Sequence, residues 1–215
     1  MIRALAVISM AWASAAYGQD VSAVPPLSSD WHADIRATTD ANRWAGLEAD
    51  DPLAAPMLLC RSPGCPSTVE VRLDPDAIQS VRAHFDPVPI NAPDERARIG
   101  GAIAHLERLV APTLGTWNDQ PANNHQDWDL TGQLDCVAET VNTLTYLDRL
   151  ALAGLILRHD VSHEVIRFTL ILQHIAVEII EIDTNDSWVV DSWPGANGEE
   201  PLIQPYGEWR GEWQV

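Results

Sequence analysis

Between residues 164 and 193 the chain writes three strands in a row: "EVIRFTLIL" (164–172), "HIAVEIIEI" (174–182) and "SWVVDSW" (187–193). Asp183-Thr184-Asn185-Asp186 makes the turn between the last two. Consecutive strands joined by short turns pair antiparallel, so this stretch commits the chain to an antiparallel sheet. Everything before it reads as helix or loop. Helices first and strands afterwards make an α+β domain. At 215 residues, 46% of them hydrophobic, the chain has material for one good core.

Three helices are expected ahead of the strands. Asp74-Pro75 caps and opens the first, with Ile78, Val81 and Phe85 on one face. Pro93-Asp94-Glu95 opens the second, with acids in its first turn and Ile99, Ile103, Leu106 and Val110 on the inward stripe. Residues 112–132 then read as a long polar loop carrying Trp128, of a length that is often functional. The third helix has Asp135 as N-cap, Val137, Val141, Leu144 and Leu147 on one face, and Gly154 as its stop. Residues 19–55, rich in Pro, Ser, Asp and Ala with no sustained period, read as an irregular N-terminal extension, and residues 56–215 as the domain proper.

Residues 1–18 pair an early Arg3 with an apolar run and small residues before a cleavage point after Ala15 or Gly18, the pattern of a secretory signal peptide. No later stretch is apolar enough to span a bilayer, so no integral membrane segment is expected after cleavage. The expected location is secreted or periplasmic. All thirteen basic residues are arginine against 31 carboxylates, a formal charge of -18, which excludes nucleic acid as a natural partner.

Export changes how the three cysteines read. Cys60 and Cys65 flank the turn pair Pro63-Gly64, and a disulfide there closes a short loop for about 2 kcal/mol. Cys136 is left over, in the first turn of the third helix. Free backbone amides and the positive end of the helix dipole favour an anion there, so part of this thiol is expected as thiolate at neutral pH. The carboxylate of Asp135 opposes that. A buried apolar cysteine is the plain alternative.

A thiolate nucleophile needs a base, and the base needs an acceptor on its other nitrogen. His174 and Asp191 are the candidates, on neighbouring strands. A hairpin centred between Thr184 and Asn185 sets Asp191 opposite Glu178, on the same face as His174 but about 13 Å away along the sheet. His159 and His163, with Asp160 and Glu164, have metal-ligand spacing, but they follow the Gly154 stop in what reads as a solvated loop. Trp188, Trp193, Trp209 and Trp213 crowd the C-terminal end, where packing is the expected use and cleft lining the other.

"LDCVAE", "QHIAVEI" and "WVVDSW", in that order, resemble the bacterial transglutaminase-like cysteine peptidases of the transglutaminase-like superfamily. The resemblance covers 132–193. It implies a papain-like fold, with the nucleophile at a helix start packed on the antiparallel sheet and a register in which His and Asp meet. It assigns Cys136 as nucleophile, His174 as general base and Asp191 as orienting acid. The oxyanion would be met by the Cys136 N–H, with Gln133 as the nearest candidate for a second donor. Family members that process adhesins hold calcium through carboxylates on both sides of the cysteine. Here Asp135 is present but Val137 follows, so calcium is possible through Asp135 and no cofactor is required.

The expected activity is an exported cysteine peptidase or amidase acting on a protein or peptide. Two alternatives stay open: a crosslinking transglutaminase with the same triad, and a non-catalytic binding module on the same scaffold.

Overall fold

The computed structural model describes residues 31–123, 131–168 and 173–211. The expected signal peptide, Trp128 and Trp213 lie outside the described residues. Five helices and six strands follow in the order α1 (Trp31–Leu47), β1 (Met57–Cys60), β2 (Thr68–Val71), α2 (Pro75–Arg82), α3 (Ala92–Leu114), α4 (Cys136–Leu152), β3 (His159–Phe168), β4 (Gln173–Glu181), β5 (Ser187–Asp191), β6 (Leu202–Pro205) and α5 (Tyr206–Gly211). This is an α+β arrangement: a four-stranded antiparallel sheet ordered β3-β4-β5-β6, and a separate antiparallel pair β1-β2.

The helix starts form as the side chains dictate. The Asp74 carboxylate accepts the Ala77 N–H at 2.8 Å, and Asn91 Oδ1 accepts the Asp94 N–H at 2.8 Å. On α3 the stripe Ile99, Ile103, Leu106 and Val110 is buried as expected. The helix does not stop there but runs through Pro112 to Leu114, where Gly115 at φ +82 caps it by donating to the Ala111 carbonyl at 2.7 Å. A proline in the last turn forfeits one backbone bond, and burial of Leu114 together with the glycine cap outweighs that loss.

Residues 31–47 are a helix, not irregular chain. The side of α1 that meets α4 carries Ile35, Thr39, Asn42 and Gly46, a stripe at helical spacing with one strong hydrophobe, which is why hydropathy does not reveal it. Asn42 Nδ2 donates to the Leu58 carbonyl at 2.9 Å and to Thr145 Oγ1 at 2.8 Å, and Asn42 Oδ1 accepts the Leu58 N–H at 2.7 Å. At Gly46 an added Cβ would lie 1.9 Å from the Arg149 guanidinium, so a larger residue there would have to displace that side chain.

As a result α4 is enclosed on all sides, every residue from Val137 to Leu150 being buried. Its apolar face packs with Ile99, Ile103, Val177 and Ile179 in the main core. Its polar face is satisfied by partners: Asn142 Oδ1 accepts the Cys60 N–H at 2.8 Å and Asn142 Nδ2 donates to the Cys60 carbonyl at 3.1 Å.

The sheet register differs from the simple hairpin expected. Val177 pairs with Val190 and Glu178 with Val189, which sets Asp191 opposite Ala176, two residues from His174. Asn185, at φ +60, donates to the Glu181 carbonyl at 2.8 Å and closes a loop over 182–185. The hairpin centre thus moves by one residue and the pairing by two, which keeps the face and shortens the diagonal. The first long strand begins earlier than expected, at His159, with a bulge between Val161 and Glu164.

Candidate active site

The chain reaching Cys136 is clamped from two sides. Gly132 donates to the Arg61 carbonyl at 2.8 Å, and the Gly64 N–H donates to Asp135, so the Cys60–Cys65 loop, closed by its disulfide, backs the approach. From the other side Leu134 donates to Asp119 Oδ1 at 2.8 Å. Gly132, at φ +90, lies so close to the Gly115 carbonyl that a Cβ would meet that oxygen at 2.3 Å. Asp135 then caps α4, its carboxylate accepting the Ala138 N–H at 3.0 Å.

Cys136 is half-buried, and its thiol takes the N–H of the peptide joining His174 to Ile175. The Thr140 hydroxyl lies between the carbonyls of Cys136, at 2.7 Å, and Ile175, at 3.1 Å, fastening the first turn of α4 to β4. His174 Nε2 is 2.6 Å from Asp191 Oδ2, both side chains being buried. Trp193 lies over the imidazole at 4.6 Å between centroids. His174 Nδ1 is buried and has no hydrogen-bond partner among the described residues. The fold therefore joins His174 to Asp191 and brings the Cys136 thiol to the backbone beside His174, with no hydrogen bond between thiol and imidazole.

The thiol departs from the expected thiolate. Burial, with the nearby charges of Asp135 and Asp191, pushes Cys136 up to about 12, against the lowering effect of the Ile175 amide. At a half-buried helix start, desolvation wins over the dipole.

Gln133 is not a free donor. Its Nε2 donates to the carbonyls of Asn118 at 3.1 Å and Gly132 at 3.2 Å, and its Oε1 accepts from Asn123 Nδ2 at 2.8 Å, so the amide staples the loop. The Asp135 carboxylate is engaged by the amides of Ala138, Gly64 and Val137. Among the described residues no group of three or more His, Cys, Asp or Glu is arranged to hold a metal ion. His159 and His163 stand on a strand, not in a loop, and do not act together: His159 is buried and His163 is exposed.

Two features escape sequence reading. Trp209, on α5, donates its indole N–H to Asp191 Oδ2 at 2.8 Å, a contact between distant segments that no local pattern signals. Around the start of α4, Glu107, Asp119 and Glu139 form a buried cluster of acids. Burial raises all three, Glu107 to about 7, and Glu139 and Asp119 share a hydrogen bond.

No model of a known protein family matches this chain, and searches of curated proteins and of solved structures find no match either.

Proposed function

We propose that the protein is a thiol-dependent acyl-transfer enzyme, a cysteine peptidase or amidase of transglutaminase-like, papain-like design acting on an exported protein or peptide substrate. One observation carries the reading: a buried imidazole with one nitrogen bound to a carboxylate and the other without a partner among the described residues, next to the free thiol of Cys136. Asp191 accepts from Nε2, which leaves the Nδ1 lone pair of neutral His174 as the base.

The resting thiol keeps its proton, so deprotonation belongs to the attack itself. As Cys136 Sγ bonds to the substrate carbonyl carbon, its proton passes to His174 Nδ1, and Asp191 supports the imidazolium. The Cys136 N–H, at the first helical position, lacks an intrahelical acceptor and faces the developing oxyanion. His174 then returns the proton to the departing amine, leaving a thioester on Cys136. Water attack releases the acid and frees the thiol; a primary amine in place of water gives the crosslinking outcome. The Cys60–Cys65 bridge, together with the absence among the described residues of any helix long and apolar enough to cross a membrane, supports an exported setting.

The test uses p-nitrophenyl acetate as acyl donor. The expected result is a burst of one p-nitrophenolate per chain with the acetyl group mapped to Cys136 by mass spectrometry, lost in Cys136→Ala. Absence of acetylation at Cys136 in the folded protein would favour the binding-module reading.

A further inference from the structure

Asp191 is 1% exposed, and its Oδ2 receives two N–H donors, His174 Nε2 at 2.6 Å and Trp209 Nε1 at 2.8 Å. Trp209 is wholly buried, and its ring lies 5.7 Å from the imidazole. The Arg167 guanidinium stands 4.5 Å over the indole, and Arg167 also donates to the Trp209 carbonyl. A cation over the ring face draws electron density from the indole and makes its N–H a stronger donor. Arg167 in turn sits on β3 directly opposite His174 on β4. The four groups thus form a closed chain, Arg167 to Trp209 to Asp191 to His174.

We infer that Trp209 is a positioning residue of the thiol site: by sharing Asp191 Oδ2 with His174 it fixes the carboxylate as an acceptor and so fixes which nitrogen of His174 carries the proton. The inference rests on the acyl-transfer reading for its kinetic consequence but not for its structural one. A buried carboxylate held by one donor can rotate or swing toward a second arrangement; held by two donors from different elements it cannot. Sharing also tempers the pull on the imidazole, since two donors on one oxygen divide its electron density. The consequence extends to the C-terminal helix: α5 is too short to persist alone, and Trp209 is its only buried residue, so the state of the site is tied to the docking of the chain's last described element.

Trp209→Phe keeps the ring and removes the donor. A second variant, with benzothienylalanine at 209, keeps the full bicyclic shape and removes only the N–H, which covers failure of the phenylalanine form to fold. In both, the proton NMR resonance of His174 Nε2–H is expected to move downfield as Asp191 Oδ2 loses its second donor, and the acetylation burst at Cys136 to slow about tenfold. Folded variants in which both the resonance and the burst rate match the parent overturn the inference. If the parent shows no burst, the acyl-transfer reading fails while the resonance alone judges Trp209: a downfield shift sustains the positioning role, and an unmoved signal ends it.

Discussion

Two buried histidine–carboxylate pairs stand among the described residues, and they are finished differently. His159 Nδ1 meets Glu95 Oε1 at 2.9 Å with both side chains wholly buried, and its Nε2 is met by the Arg96 guanidinium at 3.0 Å. Arg96 also pairs with Glu181 at 2.6 Å, and Glu95 takes the amides of Leu157 and Arg158, each at 2.8 Å. Burial alone would raise Glu95; hydrogen bonds from His159 and the two amides outweigh it and hold the carboxyl below its ordinary range. Every polar atom of the His159 ring is used. His174 has the same carboxylate contact on one side and, among the described residues, no partner on the other. A closed pair fastens the entry of β3 to α3, whereas an open one keeps a lone pair available for a proton. Burial and a carboxylate partner therefore do not by themselves mark a catalytic histidine; on the proposed reading it is the unpartnered Nδ1 that sets His174 apart from His159.

Two substitutions set the pairs against each other, and their effects should cross. His174→Ala is expected to lower the rate of Cys136 acetylation by about 10²–10⁴-fold with a small change in melting temperature. Glu95→Ala, which strands His159 and two amides in the interior, should cost about 3–5 kcal/mol in denaturant unfolding. Should His174→Ala unfold the protein as readily as Glu95→Ala while the acetylation rate of the remaining folded fraction is unchanged, both pairs are structural.

The acids around the start of α4 sharpen the contrast, because no histidine partners them among the described residues and burial raises all three. Glu107 Oε2 accepts the Gly198 N–H at 2.7 Å, and Ser192, next to Asp191, also bonds to Glu107. Its ordinary value of 4.5 rises to about 7 on folding, so the folded state binds a proton that the unfolded chain releases. The resulting stability is full below about 4.5 and is lost as pH climbs through about 7. Urea unfolding should therefore show stability falling between pH 5 and pH 7, on the order of 3 kcal/mol for this group. Glu107→Gln should flatten the slope, and an unchanged slope would show that Asp119 and Glu139 carry it.

The smallest expected effect comes from the wall of the open site. Replacing both Cys60 and Cys65 by serine should cost about 2 kcal/mol of stability, read as a lower melting temperature. Because Gly64 and Arg61 hold Asp135 and Gly132, the same variant should let iodoacetamide reach Cys136 faster. Unaltered alkylation would mean that Asn142, gripping Cys60 from α4, holds the loop without the bridge.

Local chemistry was enough to determine a good part of this protein. Asp74, Asn91 and Asp135 start their helices with the short-range bonds their side chains permit, the apolar stripes of α3 and α4 face the core, and Cys60 and Cys65 join across a Pro-Gly turn. The even spacing of the strands put His174 and Asp191 on one face, and three motifs named the residues to watch. What decided the rest acts between segments far apart in the chain. Asn185 shifted the hairpin so that His174 and Asp191 touch, and Asn42 drew α1 onto α4 by polar contacts that carry no hydropathy signal. Gln133 was taken up by its own loop, and burial reversed the state expected of the thiol. Periodicity reports only which face of an element is apolar. Which groups remain unpaired once the faces meet depends on the free energy of burying polar atoms, and that is settled only when every segment is in place.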